Sequence, residues 1–137
     1  FIDSDNALDY IFGYAVGIDM TCRDIQKEAK KKGKPWAMAK SIPNSAPVSD
    51  LTAVADCGHL FSGTIELSVN GTEKQKSGLE NMIRTPAIII HELSKIYNLQ
   101  FGDIIFTGTP EGVGQVTAGD KIEASIDGLE TLSCSFI

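Results

Sequence analysis

Hydrophobic and polar positions alternate with period two in several stretches of this chain, which is the pattern of half-buried β-strands. Residues 12–20 alternate in this way, and one face is apolar, formed by Phe12, Tyr14, Val16 and Ile18. The opposite face carries Gly13, Ala15 and Gly17 and ends at Asp19. Such a nearly bare face indicates either close packing within a sheet or the close approach of a ligand.

Further strands are predicted later in the chain. Residues 63–70 alternate well, and Asn70-Gly71 then predicts a type I′ hairpin into residues 72–76. Residues 104–107 are predicted as a strand that leads into a glycine-rich loop. The last two strands are predicted at 121–126 and 130–136, joined by Asp127-Gly128.

Two stretches have helical spacing instead. For the first, Thr21 is the predicted N-cap with Asp24 completing a capping box, and Gly33 ends the helix. Its predicted inner stripe is Cys22, Ile25 and Ala29. The second begins at Thr85-Pro86 and ends near Asn98, with Ile89, Leu93 and Ile96 at core spacing. Residues 34–50 are predicted to be extended or irregular. The pattern predicts one mixed α+β domain, predominantly β, over residues 1–137.

Composition limits the classes of partner. The chain is 42% apolar and 22% charged, as in ordinary soluble globular proteins. A net charge of −6 argues against nucleic acid, which requires a concentrated basic surface. The longest aliphatic run, 87–90, is far too short to span a membrane. Three widely spaced cysteines without a CxxC pair favour a reducing compartment.

The candidate chemistry lies within 22 positions. An acid, an arginine, an amide and a lysine follow the first strand, and together they could surround one small anionic ligand: Asp19, Arg23, Gln26 and Lys40. Arg23 and Gln26 are neighbours in the first turn of a helix, directly beyond Asp19. The alternative is a plain salt bridge between Asp19 and Arg23, with no ligand involved.

Other motifs in the sequence give weaker indications of function. The glycine-rich segment 107–114 follows a predicted strand but lacks the lysine and hydroxyl of a phosphate-binding loop. Cys57 and His59 could together bind zinc, yet no second pair with suitable spacing follows. His91 falls away from the main apolar stripe of its helix and is predicted to be on the surface.

Several consecutive segments resemble the core motif of the fumarylacetoacetate hydrolase family, in order along essentially the whole chain. They are closest to its small single-domain branch of acylpyruvate hydrolases, oxaloacetate decarboxylases and oxaloacetate tautomerases. The segments are Gly13-Tyr14, Asp19-Met20-Thr21, Arg23-Asp24-Ile25-Gln26, Gly33-Lys34-Pro35-Trp36, Ala39-Lys40, residues 67–72, Asn81-Met82-Ile83, residues 102–114, Gly119-Asp120 and Gly128-Leu129.

The resemblance implies a β-rich roll with two main helices, a homodimer, and a Mg²⁺ or Mn²⁺ ion with three carboxylate ligands. Asp19 matches one of these ligands. The other two belong to an E-x-E pair upstream of the segment that matches, so we expect this chain to be a catalytic domain without its N-terminal part. By the same resemblance Lys40 steadies developing oxyanion charge, Gln26 is its hydrogen-bonding partner, Arg23 orients Asp19 or neutralises the site, and Thr107 contacts substrate.

The resemblance also implies a reaction class. The expected activity is a Mg²⁺-dependent reaction of small 2-oxo acids through a metal-stabilised enolate, either C–C hydrolysis of an acylpyruvate or decarboxylation of oxaloacetate. Enol–keto tautomerisation of oxaloacetate is the alternative, and a noncatalytic relative without metal is a further one. The expected partners are a small 2-oxo acid and a second copy of the chain, with no nucleic acid and no membrane. The expected location is cytoplasmic, or mitochondrial in a eukaryote.

Overall fold

The computed structural model describes all residues, 1–137, and contains two antiparallel sheets. The smaller pairs β1 (Gly13–Tyr14) with β2 (Thr52–Ala53). The larger has four strands in the order β4-β3-β5-β6. Its strands are β3 (Thr64–Val69), β4 (Thr72–Gly78), β5 (Lys121–Ile126) and β6 (Leu132–Ser135).

The hairpin between β3 and β4 forms as the sequence predicts. Asn70 has a φ of 51° and Gly71 one of 75°, the two positive values that a type I′ turn requires. β5 pairs with β3 from Ile65↔Ile126 to Val69↔Ile122. This sheet confirms the predicted strands at 63–70, 72–76, 121–126 and 130–136, with boundaries moved by at most two residues.

Four α-helices accompany the sheets: α1 (Arg23–Lys31), α2 (Ala37–Lys40), α3 (Val54–Cys57) and α4 (Pro86–Ser94). Two 3₁₀ helices cover Ser4–Tyr10 and Leu79–Asn81. The two main helices are α1 and α4, as predicted. No helix is both long and apolar enough to cross a membrane.

α4 begins as predicted, because the Thr85 hydroxyl accepts a hydrogen bond from the Ile88 N–H and Pro86 fills the first turn. It ends at Ser94, earlier than the predicted Asn98. Its buried position is Ile90, and Ile96 is 76% exposed. The predicted stripe through Ile96 is therefore wrong, because Ile96 lies beyond the last helical turn.

The start of α1 differs from the prediction. Its N-cap is Cys22, which offers no side-chain hydrogen bond, so the predicted capping box is absent. The Thr21 hydroxyl donates to the Asp19 carbonyl, and the Asp24 carboxylate accepts from the adjacent Ile25 N–H. The end is as predicted, since Gly33 has a φ of 60° and closes the helix.

The extended segment 12–20 is a regular strand only at Gly13–Tyr14. Beyond Tyr14 it bonds to the loop at 45–49, through a single bridge between Gly17 and Val48 and an Ile18 N–H bond to the Pro47 carbonyl at 3.0 Å. Proline has no N–H and cannot complete a ladder, which explains why the predicted nine-residue strand is interrupted.

The predicted strand at 104–107 does not form. Ile104 is 70% exposed, and Phe106 instead places its ring against Gly17. The following loop is held by the Gln75 amide, which donates to the Thr109 hydroxyl at 2.8 Å and the Pro110 carbonyl at 2.7 Å. Side-chain contacts therefore fix this segment where a backbone ladder was expected.

The main core joins the extended segment to the four-stranded sheet. It consists of Val16, Ile18, Ile122, Ala124 and Leu132. Two of these residues come from the segment that ends at Asp19, and the other three come from β5 and β6. The sheet therefore fixes the position of the candidate site through apolar packing.

Candidate functional site

Asp19 and Lys40 form an ion pair through Oδ2 and Nζ. Asp19 ends the extended segment, and Lys40 ends α2, 21 positions later. Both side chains are partly open to solvent, 47% exposed for Asp19 and 33% for Lys40. The carboxylate and the ammonium can therefore both reach a ligand that approaches from this side.

Arg23 does not pair with Asp19, so the alternative of a plain Asp19–Arg23 salt bridge is wrong. Its Nη1 donates to Gln26 Oε1 at 3.0 Å. Gln26 is 7% exposed and is the buried polar residue of α1. A buried amide oxygen requires a donor, and Arg23 lies one helical turn away from it.

Burial of Gln26 also corrects the predicted inner face of α1. Ile25, which was placed on that face, is 42% exposed. The apolar stripe is therefore not what holds this helix in place. The helix instead turns an amide into the protein interior, which is unusual unless the amide is hydrogen-bonded.

One backbone hydrogen bond joins the start of α1 to α2 at the site. The Cys22 N–H donates to the Ala39 carbonyl at 3.0 Å, and Ala39 is fully buried. Residues 37–40 form the single turn of α2, which begins shortly after Pro35. The prediction that these residues are irregular is therefore wrong. The ring of Trp36 is covered by the Lys30 ammonium, 4.6 Å from the ring centroid.

Thr107 forms no hydrogen bond with the other candidate residues. It is exposed, and its side chain makes no hydrogen bond within residues 1–137. Its neighbour Phe106 lies so close to Gly17 that a Cβ there would be 2.7 Å from the ring. Phe106, the residue before Thr107, therefore packs against Gly17, two positions before Asp19.

The residues present do not make a complete metal site. No group of three or more His, Cys, Asp or Glu side chains within residues 1–137 could hold a metal ion. Asp19 offers carboxylate oxygens, and its nearest charged partner is the Lys40 ammonium, which cannot be a ligand. A hard divalent cation takes six or more oxygen ligands, so Asp19 supplies only part of such a set.

A second polar cluster lies beside β1. The Tyr14 hydroxyl and His59 Nδ1 are 2.9 Å apart, and the His59 ring also packs near Phe61. Burial, followed by the charge of Cys57, raises the pKa of Tyr14 above its ordinary value. Cys57 directs its thiol at the Ala53 carbonyl, so Cys57 and His59 have separate partners.

His91 is not on the surface as predicted. Its side chain is 21% exposed, and Nδ1 lies 2.8 Å from the Ile2 carbonyl. The ring of Phe1 stacks edge-on against it at 5.2 Å. His91 is partly buried because Phe1 and Ile2, just before the N-terminal 3₁₀ helix, lie against it, a long-range contact that the periodicity of α4 does not reveal.

Comparison with known proteins identifies the class. Residues 2–137 match the family model described as fumarylacetoacetate (FAA) hydrolase, C-terminal, and the chain belongs to this family. The family prediction is confirmed, and so is the predicted fold class.

Two curated relatives are similar in sequence. A fumarylpyruvate hydrolase of Ralstonia sp is 43% identical over 132 residues, which cover 96% of this chain and 68% of the relative. A mitochondrial oxaloacetate tautomerase of Mus musculus is 44% identical over 126 residues, 92% of this chain and 57% of the relative. The named relatives are enzymes, and this chain spans about three-fifths of their length.

A solved structure is similar in fold. It is a fumarylpyruvate hydrolase from Pseudomonas aeruginosa in complex with Mn²⁺ and pyruvate, 40% identical, with a TM-score of 0.96. The match covers 98% of this chain and 57% of that one. The antiparallel sheets and few helices described above are thus those of the family.

Residues 41–50 form the predicted irregular segment, but sequence reasoning missed the contacts that this loop makes with the candidate residues. Ser45 donates its hydroxyl to the Lys40 carbonyl, and its own carbonyl accepts the Met20 N–H. The Ser49 hydroxyl accepts a hydrogen bond from the Val16 N–H. The signal available in the sequence was Pro43-Asn44, a dipeptide typical of a tight turn that folds residues 41–50 back onto the site.

Proposed function

We propose that this chain contributes the greater part of an active site for small 2-oxo acids. The proposed reactions are C–C hydrolysis of an acylpyruvate such as fumarylpyruvate, and decarboxylation of oxaloacetate. The observation that carries the proposal is that the Asp19–Lys40 pair and the Arg23–Gln26 pair, of which Gln26 is buried, both lie where the start of α1 packs against α2. The Ralstonia and Pseudomonas relatives, both named fumarylpyruvate hydrolases, support it.

We further propose that Asp19 is one ligand of a Mg²⁺ or Mn²⁺ ion whose remaining carboxylate ligands come from outside residues 1–137. The absence of a three-ligand group within these residues supports this division of the site. The Mn²⁺ ion and the pyruvate in the structure of the Pseudomonas relative also support it. Such an ion supplies Lewis-acid polarisation of a keto oxygen when it is bound. In this reading residues 1–137 are the catalytic domain without its N-terminal part, acting as a homodimer.

The side chains of this chain then have defined roles. The Lys40 ammonium is the fixed positive charge that stabilises developing oxyanion charge on the substrate. Gln26 Oε1 is occupied by Arg23, which leaves both hydrogens of its amide nitrogen to donate to a ligand oxygen. The positive charge of the Arg23 guanidinium neutralises the anionic site. Thr107 contacts the substrate from the adjacent loop.

Each of the three candidate reactions develops negative charge on an enolate oxygen. Hydrolysis adds water to the acyl carbonyl and breaks the C–C bond, and its electron pair leaves on the pyruvate enolate. Decarboxylation releases CO₂ and leaves the same enolate, whereas tautomerisation moves only a proton between C3 and oxygen. Stabilising charge on the enolate oxygen serves all three reactions.

Oxaloacetate tautomerisation is the second candidate. The observation that favours it is the presence of curated oxaloacetate tautomerases among the relatives, from Mus musculus at 44% identity and from Escherichia coli at 40% identity. A noncatalytic relative is the third. For location we propose the cytoplasm or, as for the Mus musculus relative, the mitochondrion.

The experiment assays the protein as its source organism makes it, in the presence of Mg²⁺. Oxaloacetate and acetylpyruvate are the two substrates. Enol loss, pyruvate and CO₂ are followed separately, so that the dominant product assigns the reaction. Asp19→Ala is expected to lower turnover at least about a hundredfold, because it removes a proposed metal ligand. Its circular dichroism spectrum is expected to be unchanged.

The matched control is Asp24→Ala. Asp24 is an exposed carboxylate of the same α1 region, and its only hydrogen bond is to the adjacent Ile25 N–H. We expect its turnover to stay near that of the wild type. Wild-type turnover retained in Asp19→Ala would contradict the proposed function, and no product in any of the three assays would favour the noncatalytic relative.

A further inference from the structure

The loop at 41–50 contains a turn that places one serine between the two halves of the candidate site. The Ser45 N–H donates to the Ile42 carbonyl at 3.2 Å, and Asn44 has a φ of 60°. Proline at the second position and a positive φ at the third are the features of a type II turn. The local sequence Ile42-Pro43-Asn44-Ser45 therefore fixes where Ser45 emerges.

Ser45 contacts both segments that carry the ion pair. Its Oγ donates to the Lys40 carbonyl at 2.7 Å. Its carbonyl accepts the Met20 N–H at 2.8 Å, on the residue directly after Asp19. One residue therefore bridges the end of the extended segment and the end of α2.

The hydroxyl bond matters because α2 is a single turn. The Lys40 carbonyl lies at the C-terminal end of that helix, where carbonyl groups lack partners within the helix. It accepts from the Ser45 hydroxyl and from the Ile42 N–H at 3.0 Å. Without the hydroxyl, the Lys40 carbonyl retains only the bond from the Ile42 N–H, two residues away in the chain.

We propose that Ser45 is a positioning residue for the reaction, acting through Lys40. Its hydroxyl holds the Lys40 backbone at the orientation in which the ammonium meets Asp19 and the substrate. This rests on the proposed function of Lys40. Misplacement of a catalytic group by a fraction of an ångström lowers the rate of the chemical step more than it weakens substrate binding.

The experiment compares three variants of the protein as its source organism makes it: Ser45→Ala, Ser45→Thr and Ser49→Ala. Ser49 is the matched control, a serine of the same loop whose hydroxyl accepts the Val16 N–H at 3.0 Å and does not touch Lys40. We expect Ser45→Ala to lower kcat about tenfold, with KM nearly unchanged. Ser45→Thr keeps the hydroxyl and is expected to restore kcat, while Ser49→Ala retains it.

A second readout does not depend on turnover. The rate at which an amine-reactive reagent modifies Lys40, followed by mass spectrometry, is expected to rise several-fold in Ser45→Ala and to stay at the wild-type value in Ser49→Ala. Equal loss of kcat in Ser45→Ala and Ser49→Ala, or an unchanged Lys40 modification rate in Ser45→Ala, would overturn the proposal.

Lys40→Met separates this inference from the proposed function. Turnover that survives Lys40→Met contradicts the proposed role of Lys40, and the modification rate then decides whether Ser45 still positions the lysine. Turnover lost in Lys40→Met but retained at full kcat in Ser45→Ala overturns the Ser45 inference alone.

Discussion

The four-stranded sheet and the region of the candidate site, residues 12–49, are held together in different ways. In the sheet, each strand is fixed by a ladder of backbone bonds, as in the five residue pairs between β3 and β5. In the site region, the extended segment and α2 are fixed by single bonds such as those of Ser45. The sheet can lose one interaction and keep its register, whereas the site region depends on individual residues.

The two regions nevertheless share one core. Val16 and Ile18 of the site region are buried against Ile122, Ala124 and Leu132 of the sheet. The sheet therefore provides stability, and the loops determine the orientation of the reactive groups. Substitutions in the sheet core should change the free energy of unfolding, and substitutions of the residues that form the candidate site or position it should change turnover.

The largest effect on stability is expected from Ile122→Ala. Ile122 is 2% exposed and belongs to the shared core. Removing its side chain leaves a cavity, and we expect a loss of about 2–5 kcal/mol in the free energy of unfolding. Urea denaturation measures this loss, and kcat per folded molecule measures the effect on the site, which we expect to be small.

Ile83→Ala is the matched control, since Ile83 is 99% exposed and has no burial to lose. We expect a change within about 0.5 kcal/mol. If the two alanine variants were equally stable, the shared core would not be what holds the sheet and the extended segment together.

A smaller effect, on turnover, is expected from Gly17→Ala. The new methyl group would lie 2.7 Å from the Phe106 ring, so the ring must move away. Thr107 directly follows Phe106 in the chain. We expect kcat to fall about tenfold or less if Thr107 contacts substrate, with little change in stability because an exposed ring can shift. Steady-state kinetics with the proposed substrates measures the effect.

The double variant Gly17→Ala with Phe106→Leu tests the mechanism of that effect. Leucine lacks the ring atoms nearest to Gly17, so the clash is relieved and kcat should recover. Full activity in Gly17→Ala alone would argue that the loop after Phe106 is not part of the site.

The smallest effect is expected from Asp120→Asn, in the sheet region. The Thr117 backbone N–H, and then the Asn70 amide, hold the pKa of the Asp120 carboxyl below its ordinary value of 3.8. A carboxyl whose folded-state pKa is lowered stabilises the fold above its unfolded-state pKa and loses that contribution as the pH falls through the folded-state value. The Tm of Asp120→Asn should therefore lie slightly below that of the wild type at pH 7.

That difference should narrow in acid. Thermal unfolding of both proteins from pH 7 to below pH 3.8 follows it, because the wild-type carboxyl becomes protonated over the lower part of this range. A Tm difference that stays constant with pH would show that the charge of Asp120 is not responsible.

The features that could be predicted from the sequence are those that local chemistry determines. Asn70-Gly71 requires positive φ at both positions and so predicts the hairpin, and Thr85-Pro86 predicts the start of α4. Gly33 predicts the end of α1 in the same way. The family itself followed from the order of several short motifs.

The features that could not be predicted depend on partners far along the chain. Residues 104–107 have the composition of a strand, but no free strand edge pairs with them. His91 looked exposed until the N-terminal residues covered it. In both cases a long-range contact decided the outcome over the local pattern.

For the candidate site, the sequence determined which chemical groups are present and that they lie near one another. Asp19 ends an extended segment and Arg23 and Gln26 begin a helix immediately after it, so their proximity is a property of the local chain. The tertiary structure decided which groups pair. Lys40 rather than Arg23 meets Asp19, and Gln26 is buried, because the chain reverses at Gly33 and α2 returns to the start of α1, where the Cys22 N–H donates to the Ala39 carbonyl. Side-chain pairing depends on distances across the fold, and residue spacing along the chain does not encode those distances.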